Sequence, residues 1–142
     1  MSLGWKQGTV SQRARRVSQS DELKWLMVHG EVHCPEGAWS FRDEAFTEDE
    51  AVQLVEFLSV RPWTSERQLA FIEPCLAFST RGKHEGKNGL LNLDIRFRGE
   101  VSPPFIRGDE EAVWGSGFTL GLFVKEDELR RFADGLGRML SG

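Results

Sequence analysis

The most regular hydrophobic pattern in the chain is LNLDIRFR, residues 91–98, in which apolar and polar residues alternate strictly. Side chains of a β-strand point alternately to its two faces, so this pattern predicts an antiparallel strand with one buried and one solvated face. Residues 23–34, 38–46 and 118–124 are rich in β-forming residues and predict three further strands. CPEG, residues 34–37, separates the first two with proline and glycine, and it therefore predicts a hairpin.

The apolar run FIEPCLAF, residues 71–78, lies inside a fifth predicted strand over residues 68–80 and is interrupted by Glu73 and Pro74. A carboxylate in an apolar strand needs a partner or water, and a proline removes one donor from the hydrogen-bond ladder. The pair therefore indicates either an edge strand or a bend that directs Glu73 towards a particular place.

Two helices are predicted by apolar residues at helical spacing. Thr47 followed by Glu50 forms a capping-box pattern before the first stripe, residues 51–58, and Pro62 stops this helix. The second stripe starts at about residue 125. The order ββαβββα contains no alternating βαβ units, so we expect an α+β fold, with a curved antiparallel sheet of about five strands and two helices packed on it.

Charge is distributed unevenly along the chain. Residues 1–20 contain four basic and no acidic residues, so the net charge of −4 for the whole chain leaves −8 on residues 21–142. We interpret residues 1–20 as a flexible basic N-terminal arm and residues 21–142 as a single α+β domain. An acidic domain argues against direct nucleic-acid binding, which requires a basic surface.

The cysteine content and hydropathy of the chain indicate in which cellular compartment the protein is found. Two cysteines are too few for a disulfide scaffold, and no apolar run reaches the roughly 18 residues of a membrane span. We therefore expect a cytoplasmic protein that does not associate with membranes.

The sequence contains one candidate metal site. His29, Glu31 and His33 share one face of their predicted strand, and two imidazoles with a carboxylate suit Zn²⁺ or Fe²⁺. A solvated strand face produces the same spacing, so we expect no metal and no cofactor and keep these three residues as the alternative. The sequence contains no nucleophile elbow, Cys–His signature or phosphate loop.

Two carboxylates and three aromatic residues are the candidate functional residues. Glu73 interrupts one predicted strand and Glu100 follows another, so they can meet in one cleft as a general acid and base, or pair separately with arginines such as Arg96 or Arg98. Three aromatic residues flanked by polar residues or prolines are candidates for exposed anchors at a protein interface, where tryptophan is enriched. They are Trp63, Phe105 and Trp114.

The segments GAWSFRDEAFTEDEAVQLVEFL, LAFIEPCLAF and LNLDIRFRGEVSPPF together resemble the WapI-like family of small bacterial proteins, which includes the immunity protein of the wall-associated-protein toxin system. The resemblance covers about residues 21–140. It is carried by Gly37, Trp39 and Phe41, by Phe71, Glu73, Pro74, Leu76 and Phe78, and by Glu100, Pro103, Pro104 and Phe105. It implies a protein that binds a cognate toxin domain, in that system a nuclease acting on transfer RNA.

These observations lead to one main expectation and one alternative. We expect a non-enzymatic, cytoplasmic immunity protein that docks on a nuclease-type toxin, with Glu73 and Glu100 near the binding face or bracing it and Trp63, Phe105 and Trp114 as apolar anchors. The alternative is a small-molecule-binding or hydrolytic domain that uses the same two carboxylates in a concave sheet. The sequence does not indicate an oligomeric state.

Overall fold

The computed structural model describes residues 2–4, 9–16, 25–59, 67–73, 75–83 and 90–141. Within these ranges the chain forms eight strands and two α-helices. The strands are β1 (Ser2–Gly4), β2 (Thr9–Arg16), β3 (Trp25–Cys34), β4 (Gly37–Thr47), β5 (Arg67–Ala70), β6 (Leu76–Lys83), β7 (Leu90–Phe97) and β8 (Phe118–Lys125), and the helices are α1 (Glu48–Ser59) and α2 (Glu126–Ser141).

The strands form two antiparallel sheets of four, in the orders β1-β2-β3-β4 and β5-β6-β7-β8. The α+β class is confirmed, and from β3 onwards the order is ββαββββα, which matches the predicted ββαβββα except that one predicted strand is divided into β5 and β6. The strands are divided between two sheets where the sequence suggested one sheet of about five. One cluster of buried apolar side chains includes residues of both sheets and both helices, so the two sheets share a single core.

The predicted β3–β4 hairpin is confirmed, with Cys34 opposite Gly37 across a two-residue turn. On β3 the side chains of Leu26, Val28 and Val32 are buried, as strand alternation requires. Gly30 lies between them, and the ring of Phe41 occupies the space where a Cβ would be. A glycine inside a strand often marks such a close approach.

Strands β1 and β2 lie within residues 1–20, which the sequence suggested to be a flexible basic arm. Strand β2 pairs with β3 from Thr9 opposite His33 to Arg16 opposite Leu26. Six of the eight residues of its sequence TVSQRARR are polar and the two apolar ones are small or β-branched, so composition alone does not distinguish it from a solvated tail. The division of the chain into an arm and a domain stays a prediction.

The single strand predicted over residues 68–80 is wrong, because β5 ends at Ala70 and β6 begins at Leu76, and the two strands pair antiparallel. The connection reads as strand because its ends are buried: Phe71 packs on Phe46 with ring centroids 5.3 Å apart, and Cys75 is also in the core. Glu73 lies at the exposed tip of this connection, and Pro74 lies outside the described residues.

Helix α1 begins with the predicted capping box. The Thr47 N–H donates to Glu50 Oε1 at 3.0 Å, and the Glu50 N–H donates to Thr47 Oγ1 at 3.2 Å. Glu50 Oε2 also accepts the Ile72 N–H at 2.7 Å. Glu50 therefore joins the start of α1 to the β5–β6 connection.

Candidate protein-binding site

Four side chains from three separate segments interact beside one cleft, and two of them, Glu73 and Cys75, line it. Asp43 comes from β4, Glu73 and Cys75 from the β5–β6 connection, and Glu100 from a 3₁₀ turn at Gly99–Val101 that follows β7. The Cys75 thiol donates to Asp43 Oδ2 at 3.5 Å, and the Asp43 carboxyl is also hydrogen-bonded to that of Glu100.

Asp43 reaches the cleft because it occupies an inward position of β4. Alternation along this strand buries Trp39 and Ala45 and half-buries Phe41 and Asp43, while Glu44 is exposed. Sequence reasoning missed Asp43. The signal was present in the pattern W-x-F-x-D-x-A, in which the acid occupies a position where the period of two demands an apolar residue.

The two connections that carry Glu73 and Glu100 are held together through the backbone. The Arg98 N–H donates to the carbonyl of Cys75 at 2.8 Å. Gly99 then adopts a φ of +62°, and Trp114 packs so closely on it that a Cβ would lie 2.8 Å from Cζ3 of the indole. Glycine is needed at this position because other residues rarely adopt this conformation. It fixes the direction in which the chain leaves β7 and so the position of Glu100.

The nearby arginines bind backbone carbonyls. Arg98 Nη1 donates to the carbonyl of Gly115 at 3.2 Å, and Arg107 donates to the carbonyls of Ser102 and Glu100 at 3.3 and 3.1 Å. These contacts order the segment between β7 and β8. They differ from the ion pairs with the glutamate side chains that we considered as the alternative to an acidic cleft.

The resulting cleft has a volume of about 140 Å³ and is lined by Glu73, Cys75, Arg98, Gly99 and Trp114. Trp114 forms its most exposed wall, with 63% of its surface accessible. Ile72, beside Glu73, is 69% exposed. The cleft therefore combines the Glu73 carboxylate with accessible apolar surface.

Electrostatics in the cleft disfavour a charge on Asp43. Burial raises the pKa of Asp43 to about 6, and the hydrogen bond that protonated Asp43 donates to Glu100 and the charges of Glu100 and Glu73 act in the same direction, while the bond from Cys75 opposes them. Burial, followed by the neighbouring Asp43, raises the pKa of the Cys75 thiol to about 12. The thiol is therefore a protonated donor at neutral pH and a poor nucleophile.

The structure brings together three of the five candidate residues: Glu73, Glu100 and Trp114. Phe105 lies on a neighbouring 3₁₀ turn and is 44% exposed, with its ring packed edge-on against Trp39 and Phe118. Trp63 lies outside the described residues. The role of these residues in binding a partner stays a prediction.

The alternative metal site receives no support. His29, Glu31 and His33 lie on the more exposed face of β3. In the part of the chain that the structure describes, no group of three or more His, Cys, Asp or Glu side chains is arranged to hold a metal ion.

The fold and the cleft together define a small α+β protein with an acidic recess bordered by an exposed indole. No helix within the described ranges is long and apolar enough to cross a membrane. A family model described as the immunity protein WapI-like family matches residues 7–141, and the chain therefore belongs to this family. This confirms the resemblance carried by the Trp39, Glu73 and Glu100 segments, and membership in an immunity protein family indicates a protein partner. A search of curated proteins finds no match.

Proposed function

We propose that this protein neutralises a cognate bacterial toxin in the cytoplasm by docking its acidic cleft on a basic surface of the toxin domain. The observation that carries the proposal is the cleft in which Glu73 faces the exposed indole of Trp114, together with the adjacent carboxyls of Asp43 and Glu100, which interact with each other and with Glu73. Family membership supports a protein partner, and the cleft suggests which chemistry that partner presents.

Like charges held this close favour a cation between them. A lysine or arginine side chain placed in the cleft would favour the ionised form of Asp43 and relieve its repulsion with Glu100. A nuclease needs basic residues to hold phosphate groups, so it offers such side chains next to its active site. The net charge of −8 on residues 21–142 would also steer the two proteins together.

The size of the cleft favours docking over catalysis. Sites for small-molecule ligands and substrates usually enclose about 300–1,000 Å³. A cleft of about 140 Å³ is large enough for one side chain of a partner and small for a substrate. The raised pKa of Asp43 is the observation that favours the hydrolytic alternative, since general acids share this property.

Apolar anchors surround the cleft. Among the described residues, four large hydrophobic side chains are exposed, and three of them lie in the segments that build or adjoin the cleft: Ile72, Phe105 and Trp114. The fourth, Val52, lies on α1. Exposed aromatic residues next to charged groups are typical of the few positions that dominate the free energy of binding at interfaces.

The test uses the polypeptides encoded by toxin-like open reading frames beside the gene for this chain. Each is co-expressed with the full chain, cell survival is scored, and the affinity of any complex is measured. We expect rescue by the wild type. Trp114→Ala should weaken the complex by about 30-fold, which corresponds to roughly 2 kcal/mol, and Glu73→Lys should slow association.

Matched controls separate the cleft from the rest of the surface. Val52→Ala removes another exposed apolar side chain, and Asp134→Lys reverses an exposed acid on α2. Both should leave the affinity within about twofold of wild type. Failure of every neighbouring polypeptide to bind or to be neutralised would overturn the immunity proposal. Equal losses from the cleft and control variants would overturn the assignment of the cleft.

A further inference from the structure

A second recess lies on the outer face of the second sheet. Ile95 of β7 points into the core, so the adjacent Asp94 and Arg96 point to the opposite face. In the register of the sheet, Arg96 stands opposite Ala77 on one side and Thr119 on the other. The small alanine leaves space there, and a groove of about 290 Å³ results. None of its lining residues also lines the acidic cleft.

The groove contains a buried donor with no acceptor. Arg96 Nε is inaccessible to solvent and has no hydrogen-bond partner among the described residues. Leaving a buried polar group unpaired is unfavourable, more so when it belongs to a charged side chain, and native structures contain few such groups. A ligand oxygen is about as large as a water molecule and does not reach Nε itself, but Arg96 as a whole is only half-buried and lines the groove, so a ligand there meets the rest of its side chain.

The other polar groups around Arg96 define the kind of ligand. Ser79 and Thr119 contribute hydroxyls and Gln68 an amide, which together with the guanidinium form a set rich in donors. The planar fork of a guanidinium matches a carboxylate in geometry. Asp94, which is buried in the same groove, already has an interaction partner. Its proximity disfavours a ligand with two negative charges, such as phosphate.

We propose that this groove binds a small monocarboxylic acid, whose carboxylate accepts hydrogen bonds from Arg96. The volume of the groove is at the lower limit for small-molecule sites, so the acid carries a short aliphatic chain or a single ring. This site is independent of toxin docking, because it involves different residues.

The test is a titration of the full-length protein followed by NMR of its backbone amides, with propionate and benzoate as probes. Propionamide and benzamide serve as neutral analogues, and inorganic phosphate tests whether the groove binds a dianion. We expect saturable shifts of the Ala77, Ser79 and Arg96 amides with the two carboxylates. The neutral analogues and phosphate should bind at least about tenfold more weakly.

Three variants locate the binding. Arg96→Gln should weaken carboxylate binding about tenfold or more, and Ala77→Leu should abolish it by filling the groove while leaving the arginine in place. Arg42→Gln removes an exposed arginine on β4 and should have no effect. If Arg96→Gln does not fold, as judged by circular dichroism, Ala77→Leu decides the result.

Several outcomes would overturn the proposal. They are the absence of saturable binding by propionate and benzoate, binding of propionamide, benzamide or phosphate as tight as that of the carboxylates, and unchanged carboxylate binding in folded Arg96→Gln or Ala77→Leu.

Discussion

Glu50, at the start of α1, and Asp43, on the strand before it, are both at least half-buried, but the groups that surround their carboxyls differ. Glu50 is buried, and its two oxygens accept hydrogen bonds from the N–H and hydroxyl of Thr47 and from the N–H of Ile72. Asp43 is half-buried, and its neighbours are a thiol and two further carboxyls, those of Glu100 and Glu73. The hydrogen-bond donors to Glu50 all belong to the protein itself. Asp43 instead has two other carboxyls as neighbours, and a cation from a partner protein would relieve their repulsion.

The difference separates a structural carboxylate from a candidate functional one. Glu50 joins two segments of the chain and presents no open surface. Asp43 is bonded to Cys75, which lines the cleft beside the exposed Trp114, and the pKa of Asp43 is raised to about 6. Natural sequences usually satisfy local rules, and departures from them concentrate at functional sites. The comparison therefore predicts opposite responses to mutation.

The largest effect is expected for Glu50→Ala. Removing this side chain leaves the Thr47 and Ile72 N–H groups without their acceptors and deletes the link from α1 to the β5–β6 connection. We expect the free energy of unfolding to fall by about 3 kcal/mol in urea titrations, within the range for breaking a buried network that involves a charged acceptor.

The control for this prediction is Glu56→Ala, an exposed glutamate on the same helix. It should change the free energy of unfolding by less than about 0.5 kcal/mol. A loss at Glu50 no larger than the loss at Glu56 would contradict the structural role of Glu50.

The sequence was most informative where a pattern is local. The capping box and strand β7 each rest on a pattern within a few residues, and both are confirmed, but the face of β7 predicted to be solvated is partly buried and Asp94 on it is buried. The turn between β5 and β6 was missed because Phe71 and Cys75 are buried, which gives the turn the hydrophobicity of a strand. Strand β2 was missed for the opposite reason, because its mostly polar sequence resembles that of a solvated chain terminus.

The candidate site was predictable in part for a related reason. Glu73 and Glu100 stood out because each follows or interrupts an apolar strand, and both interact with Asp43, while Glu73 also lines the cleft. Asp43 and Cys75 were missed because their meeting depends on the distance between β4 and the β5–β6 connection, which are far apart in the chain. Periodicity predicts which face of a strand a residue occupies. The residues that pack against that face are known only from the tertiary structure.

The second largest effect concerns the backbone that positions the cleft. Gly99→Ala places a Cβ against the Trp114 indole at a φ of +62°, whereas Gly108 has no heavy atom within 4 Å of the corresponding position. We expect Gly99→Ala to lower the free energy of unfolding by about 2 kcal/mol, and Gly108→Ala to change it little or to raise it slightly. Urea unfolding of both variants measures the difference. Equal values would show that the conformation of Gly99 does not hold the cleft together.

A smaller effect of the opposite sign is expected for Asp43→Asn. The pKa of Asp43 is about 6 in the folded protein and 3.8 in an unperturbed carboxyl, so this group's contribution to stability is fully present below pH 3.8 and is lost as the pH rises through about 6. Asparagine removes the pH-dependent loss. Since Asp43 is half-buried and solvent screens part of the effect, we expect a gain of about 1 kcal/mol at pH 8.

The gain from Asp43→Asn should disappear as the pH approaches 4, where the wild-type carboxyl is protonated in the folded state. Urea unfolding at pH 4, 6 and 8 measures it, and Glu44→Gln, on the exposed face of the same strand, is the control. Destabilisation by Asp43→Asn at pH 8 would place Asp43 in the same structural class as Glu50.

The smallest effect distinguishes the causes of the Asp43 pKa. Glu100 acts through both a hydrogen bond and its charge, whereas Glu73 acts through charge alone. In a ¹³C NMR titration of the Asp43 carboxyl, Glu100→Gln should therefore lower the pKa more than Glu73→Gln does. Both glutamates are exposed, so the free energy of unfolding should change by less than about 0.5 kcal/mol in either variant. A midpoint that stays at about 6 in both variants would mean that burial alone disfavours the charge, and the cleft would then lack the repulsion that favours a cationic partner.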